Sequence, residues 1–347
     1  MKILLCSVPY PPSIGGIETV SEILADRFKQ AGHDVHVATL TATDERHSGP
    51  INIMRRPSLR AYFEAVRWAD VVVHNNISLK FAWPLLILRR PWVIAHHMWS
   101  PRSGPGGLLG RLKHFATHFG DNIAVSSAMA RTLSVPATII PNPYDDDLFV
   151  LRHDAIRSRD IVFVGRLVES KGAALLLEAM ARLRQLGKPL TLTIVGGGPE
   201  EAALRHLTRL LDLEQQVSFR GFMKGNGLVD ILHEHRIMVV PSTAAEPFGI
   251  VALEGIACGL VPIVARSGGL PDAIGNCGVV VPPSDSVALA TAISALDDDP
   301  TRLEQLTHER HGHLPKHTRQ RVADSYLRVI ELALAKSKRR QLRRYGD

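Results

Sequence analysis

The feature that most constrains this chain is an alternation of short apolar runs with amphipathic stretches, which starts afresh near residue 160. "MKILLCSV" at the N-terminus holds a continuous apolar run, as a strand covered on both faces of a parallel sheet does. "GGIETVSEILADRFKQAGH" follows, with Val20, Ile23, Leu24, Phe28 and Ala31 at helical spacing and Gly32 as its stop. "DVHVATL", "ADVVVHN", "PWVIAHH", "DNIAVSS" and "ATIIPN" continue as strands, with helix-like segments between several of them. The second half repeats the pattern. Its strands are "DIVFVGR", "LTLTIVG", "QVSFRGF", "RIMVVPS", "VPIVAR" and "CGVVVPP", and its helices include "GAALLLEAMARLRQLG", "PEEAALRHLTRLLDL" and "SVALATAISALDD". Such alternation predicts an α/β chain of two doubly wound parallel sheets with a cleft between them.

Length and composition agree. The 347 residues suffice for two domains, and 45% hydrophobic with 22% charged residues is an ordinary globular balance. The expected division is 1–150, then 151–315, then a helix over 316–347 that crosses back to the first domain and ends in a basic tail. "PNPYDDDLFVLRHDAIRSRD" reads as the linker. No apolar run reaches the length of a membrane span, and Cys6, Cys258 and Cys277 are too far apart in sequence for metal or redox spacing. They read as buried thiols of a reducing, cytoplasmic compartment. Net charge is +7, but "KSKRRQLRRYGD" alone contributes six basic side chains and one Asp. A nucleic-acid binder would spread that charge over a face, so no nucleic-acid partner is expected.

Chemistry concentrates where strands run into loops. "EPFGIVALEG" puts Glu246 on a loop after a strand and Glu254 on the helix that follows, separated along its axis by roughly 7 Å. Gly249, Ile250 and Val251 open that helix, where backbone N–H groups lack intrahelical acceptors and bind phosphate or hydroxyl oxygens. Taken alone, two such glutamates read first as a solvated loop acid and a solvated helix acid; their context favours a ligand. "GRLVESKG" sets Arg166 and Lys171 on another strand–helix turn, either a diphosphate clamp or a solvated loop. "VGGGPEE" lacks dinucleotide-fingerprint spacing and signals only close backbone approach. Gly15 and Gly16 suit either an anion or a tight turn. His96 and His97 end a strand and point to opposite faces, so at most one faces a cleft, and neither has partners at zinc-ligand spacing.

Assembled, these motifs resemble the retaining glycosyltransferases of family 4 (glycosyl transferases group 1), in the glycogen-synthase-like superfamily. The resemblance spans nearly the whole chain; "EPFGIVALEG" is its most specific piece, supported by "PSTAAEPFG", "GRLVESKG" and "SGGLPDAI". It implies the GT-B fold of two facing Rossmann-like domains and a metal-independent hexosyltransferase using a nucleotide-diphosphate sugar, GDP-mannose or a UDP-hexose. By the same resemblance, Glu246 with the Pro247–Val251 stretch, including the Phe248, Gly249, Ile250 and Val251 amides, holds the donor sugar, and Glu254 holds the ribose. Arg166 and Lys171 hold the diphosphate, Gly15 and Gly16 face it, and His97 lies by the transferred sugar. No cofactor is implied. The acceptor is a glycan or lipid-linked sugar of cell-surface polysaccharide or lipopolysaccharide synthesis. Pro143 and Met98 depart from the family pattern, which puts hinge flexibility and acceptor contacts in question. The alternatives are an epimerase- or phosphorylase-type enzyme on the same architecture, a non-catalytic sugar-nucleotide binder, or a transferase with a soluble acceptor.

One stretch stays open between two readings. In "GGLLGRLKHFATHFG", Leu108, Leu109, Leu112, Phe115 and Phe119 form a stripe, with Arg111, Lys113 and His114 off it. It is either a crossover helix with its stripe in the core or, with Lys336, Lys338, Arg339, Arg340, Arg343 and Arg344, a surface for anionic membrane.

Overall fold

A computed structural model describes residues 1–43, 49–99 and 107–345, with backbone alone for 340, 341 and 343–345. The side chains of Arg340, Arg343 and Arg344, named above for the basic tail, therefore lie outside the described residues. Two compact units divide the chain: Met1–Pro143 with the segment from Arg319 onward, and Tyr144–Thr318.

The first unit is built on a seven-stranded parallel sheet. In chain order its elements are β1 (Lys2–Ser7), α1 (Gly16–Gln30), β2 (Asp34–Thr39), β3 (Asn52–Arg55), α2 (Leu59–Trp68), β4 (Val71–Asn75), α3 (Leu79–Leu88), β5 (Trp92–His96), α4 (Gly107–Ala116), β6 (Asp121–Ala124), α5 (Ser127–Thr132) and β7 (Ala137–Ile139). The strand order β3-β2-β1-β4-β5-β6-β7 puts β1 in the middle, where Ile3, Leu4 and Leu5 are fully buried. Removing each such side chain from water contributes about 1.5–3 kcal/mol. β3 has no apolar run and sits at a sheet edge with mostly half-buried residues, so periodicity does not reveal it. Where β1 and β4 end, Ser7 Oγ and Ser21 Oγ lie 2.7 Å apart and the Asn75 amide donates to Ser21 Oγ at 2.6 Å. This buried polar knot fixes the start of α1 against the two central strand ends.

The second unit carries a six-stranded parallel sheet. Its elements are β8 (Arg159–Val164), α6 (Ala173–Gln185), β9 (Leu192–Val195), α7 (Glu201–Leu210), β10 (Val217–Gly221), α8 (Asn226–His233), β11 (His235–Val240), α9 (Ile250–Ala257), β12 (Val261–Ala265), α10 (Leu270–Ile274), β13 (Val279–Val281), α11 (Ser286–Asp298), α12 (Pro300–His308) and α13 (Arg310–His313). The order is β10-β9-β8-β11-β12-β13. Phe163, Leu176, Leu192, Ile237, Ile263 and Ile293 share one core, the sheet against its helices. The last helix, α14 (Arg319–Tyr345), belongs to the first unit and packs on α1 and β5. The two Rossmann-like parallel-sheet units are the components of the GT-B fold.

The structure bears on two readings of the sequence. The proline- and charge-rich stretch read as a linker contains the boundary between the units and is anchored to the second at Tyr144 and Phe149, which are buried, and at Arg157, which donates to the carbonyls of His235 and Cys258, while Arg152, His153, Asp154 and Ile156 between them are exposed. The stripe of α4 is not in the core; Gly110 is that helix's buried residue, while Leu108, Leu109, Leu112, Phe115 and Phe119 are 46–73% exposed. Helical spacing marks an apolar face but not what covers it.

The glycines of "VGGG" bear out close approach. Gly196 has φ +145°, and a Cβ there would lie 1.8 Å from the Gly165 carbonyl oxygen. Gly196→Ala is expected to destabilise by about 3 kcal/mol or more, a clash plus a disallowed backbone. Urea unfolding measures it; a midpoint unchanged from wild type refutes the packing of these two loops.

Candidate functional site

In an open parallel sheet, ligands bind at the carboxyl ends of strands where the strand order reverses. In the second unit the chain passes from β8 outward to β9 and β10, then returns to place β11 on β8's other side. The reversal lies between β8 and β11. Arg166 and Lys171 follow β8, and Glu246 follows β11, so all three flank it.

Backbone hydrogen bonds lock these loops together. Thr243 N–H donates to Ser170 O at 3.0 Å, and Gly269 N–H donates to Glu246 O at 2.8 Å. Ser267 Oγ donates to Ala244 O at 2.7 Å. The loop 241–249 is thereby held by the loops after β8 and β12. Two glycines make the contact possible: a Cβ on Gly172 would meet Pro241 O at 2.2 Å, and one on Gly268 would meet Glu246 O at 2.0 Å.

On this frame Lys171 Nζ donates to Glu246 Oε1, with the two side chains 27% and 17% exposed. Ser242 Oγ donates to the same oxygen at 2.8 Å. The ammonium keeps two N–H groups for another acceptor. Arg166 is exposed beside Gly165. Gly249 precedes α9 with φ +124°, so the loop turns sharply and presents the first N–H groups of α9. Pro247, Ile250 and Val251 are partly exposed, whereas the Phe248 ring is buried and only its backbone faces the loop.

Glu254 lies in the second turn of α9. Loss of water in its dense surroundings, helped by the Asp145 carboxylate, pushes its pKa up to about 7. Asp145 is held in place by accepting from the N–H groups of Asp147 and Leu148 at 3.2 and 3.3 Å.

The first unit has its own reversal, between β1 and β4. Gly15 and Gly16 stand there at the start of α1. Glu18 folds back over the turn, accepting from Ser13 Oγ at 3.1 Å, and a Cβ on Gly15 would meet its carboxylate at 2.6 Å. His97 follows β5 and is buried; burial, then the neighbouring His96, push its pKa down to about 3, so its ring is neutral. Its Nε2 lies 3.5 Å from the hydroxyl of buried Tyr326 in α14. His96 is buried too, with Nε2 2.9 Å from Asn122 Oδ1. Both rings are buried, which agrees with the expectation that at most one of the pair faces a cleft; His96 lines a small cavity with Met98, Lys113 and His114. Among the described residues no group of three or more His, Cys, Asp or Glu is arranged to hold a metal ion.

Known proteins share this layout. Residues 14–148 match the family described as Glycosyltransferase Family 4, and residues 155–311 match Glycosyl transferases group 1. A glycogen synthase of Mycobacterium tuberculosis is 33% identical, across 88% of this chain and 88% of that protein. The chain belongs to the family 4 glycosyltransferases. This glycosyltransferase is also 36% identical over 156 residues to the D-inositol 3-phosphate glycosyltransferase of Corynebacterium diphtheriae, covering 42% of this chain and 36% of that one. Among solved structures, Anabaena HepE in complex with UDP superposes with a TM-score of 0.81 at 21% identity, over 95% of this chain and 100% of that one, a likeness of fold.

Sequence reading missed Ser242, Asp145, Glu18 and Tyr326. Ser242 stands four residues before Glu246, where a hydroxyl close to a loop acid was a usable signal. The others meet their partners only through the fold.

The raised Glu254 pKa has a definite sign. The fold favours the protonated form, so its stabilising contribution is complete below about pH 4.5 and is lost as pH rises through about 7. Glu254→Gln is therefore expected to match wild type in Tm near pH 4.5 and to exceed it by a few degrees above pH 7, at most about 3 kcal/mol. A Tm difference flat from pH 4.5 to 8 counts against a desolvated carboxyl.

Proposed function

We propose that this glycosyltransferase moves a hexose from a nucleotide-diphosphate sugar to a glycan or lipid-linked acceptor, with retention at the anomeric carbon and without a metal. The observation that carries the reading is the Lys171–Glu246–Ser242 cluster beside the start of α9 at the β8/β11 reversal. A dianionic leaving group is matched there by Lys171, Arg166 and the Gly249–Val251 amides, which neutralise charge as the sugar–phosphate bond breaks. Glu246 accepts hydrogen bonds from sugar hydroxyls while holding Lys171 in register. Glu254 accepts from ribose hydroxyls. In the first unit, the Gly15–Gly16 turn suits an anionic group, and neutral His97 suits a sugar hydroxyl rather than proton transfer.

Retention follows from attack on the face that the phosphate leaves. The acceptor oxygen bonds to the anomeric carbon, the carbon–oxygen bond to phosphate breaks, and the acceptor's proton passes to the departing phosphate oxygen. The products are the glycoside and a nucleoside diphosphate. UDP in the HepE complex favours a uridine donor over GDP-mannose.

The exposed α4 stripe favours a membrane-linked acceptor for cell-surface glycan or lipopolysaccharide synthesis. Residues 107–120 contain Arg111 and Lys113 and no acid, which suits an anionic lipid surface at about 1 kcal/mol for each of the two. Among the described residues no helix is long and apolar enough to cross a membrane.

Two outcomes are expected. Glu246→Ala and Lys171→Ala each lose transfer by about 10²–10³ with Tm near wild type, while UDP, GDP and ADP ranked by thermal shift identify the base. Near-wild-type turnover in both variants defeats the donor-clamp reading. Separately, the protein is expected to co-sediment with anionic vesicles at low salt, and Phe115→Ser, at an exposed position, to weaken that binding. Equal behaviour with anionic and neutral vesicles points to a soluble acceptor.

A further inference from the structure

From Phe248 in the Glu246 loop runs a chain of ring contacts that the donor reading does not use. Phe248 is 2% exposed, and its ring centroid stands 5.8 Å from that of His317, itself 3% exposed. His317 packs in turn on His313, with centroids 4.5 Å apart. His313 is anchored by its Nε2, 2.7 Å from the carbonyl oxygen of Ala273 in α10, the helix whose Leu270 packs against Gly249. The path runs from α10 through His313 and His317 to Phe248, and returns to α10 through Gly249. It encloses the turn that sets the first N–H groups of α9.

His317 has a second tie. Its carbonyl oxygen accepts from Tyr144 N–H at 3.2 Å. Tyr144 is the first residue of the second unit, and His317 stands one residue before its last, Thr318. The two ends of the unit's chain are joined at the same residue whose ring supports Phe248. A buried ring set between two others, tilted 38° to Phe248 and 47° to His313, has few positions open to it, since packed interiors adopt discrete arrangements.

We infer that His317 is a positioning residue for the donor loop: its ring holds Phe248, and through Phe248 the Gly249–Val251 amides and Glu246, in the geometry that binds the donor diphosphate. The inference rests on the donor-clamp reading above. It also makes the paired chain ends at Tyr144 and His317 sensitive to donor occupancy, because Phe248 bears on the ring of one of them.

The test compares His317→Phe, His317→Leu and His317→Ala for UDP dissociation constant by calorimetry, for transfer kinetics and for Tm. His317→Phe keeps a planar ring and is expected to bind UDP within about twofold of wild type. His317→Leu and His317→Ala are expected to weaken UDP about tenfold and raise donor KM, leaving acceptor KM unchanged. Rescue by Phe with failure of Leu at similar Tm separates positioning from general stability. Hydrogen exchange at the Tyr144 amide is expected to slow when UDP binds wild type and not when it binds His317→Leu. Should Ala not fold, Leu decides. Wild-type UDP affinity in folded Leu overturns the inference, and so does equal loss in Phe and Leu. Lys171→Ala keeps the two readings apart: full UDP affinity there removes the donor-clamp reading, whereas loss there with wild-type affinity in His317→Leu removes this inference alone.

Discussion

The contact between Lys171 and Glu246 joins two loops far apart in sequence, and the site depends on it. As a source of stability a partly exposed ion pair is minor, since water and salt weaken it and two long side chains lose freedom. Its value is geometric. Lys171 comes off the β8 loop and Glu246 off the β11 loop, so their pairing spans the reversal of strand order where a ligand enters. Ser242 on the same carboxylate oxygen fixes which face Glu246 presents. Charges held in place before a ligand arrives need no reorganisation as charge develops, which is where electrostatic catalysis gains most.

Backbone approach sets the frame for that pair. The loops after β8, β9, β11 and β12 touch through carbonyl oxygens, at distances that exclude a Cβ at Gly172, Gly196, Gly198 and Gly268. Each contact brings a neighbouring loop close enough for hydrogen bonds such as Gly269 N–H to Glu246 O. The position of Glu246 is therefore decided by residues that carry no chemistry.

Much of this was legible in the sequence, for physical reasons that also mark where legibility stops. Strands covered on both faces must be apolar throughout, so β1, β4, β5 and β11 announce themselves, whereas edge strand β3, half-buried and mixed, does not. Glycine runs after strands correctly signalled close approach, because few other needs put glycine there. The α4 stripe shows the opposite limit: periodicity gives a face, but a core and a docking surface require the same face. The burial of His97 was out of reach because Tyr326 meets it from α14, more than two hundred positions along the chain. Asp145 reaches Glu254, and His317 reaches Phe248, only once the sheet has closed the distance. The family motif pointed to the Glu246 loop without showing what supports it.

The two edges of the second sheet differ in a way that separates support from function. At the amino edge, Asp160 accepts from Thr191 and is bound by Arg236, which also reaches Asp297 at 2.9 Å; charges there are mutually satisfied. Backbone and side-chain hydrogen bonds and Arg236 together hold the Asp160 carboxyl below its ordinary range, against the opposing effect of burial. At the carboxyl edge, Glu254 is driven the other way by burial and a second carboxylate, Gly249 holds a left-handed backbone, and the first amides of α9 lack helical acceptors. The desolvated carboxyl and the open amides are each unfavourable in the unliganded chain, whereas Gly249 takes up its backbone without steric cost. Hydroxyls that donate to Glu254 favour its charged form, and phosphate oxygens satisfy the amides. The second sheet thus satisfies its charged groups at the amino ends of its strands and leaves polar groups open at the carboxyl ends, where the proposed donor site lies.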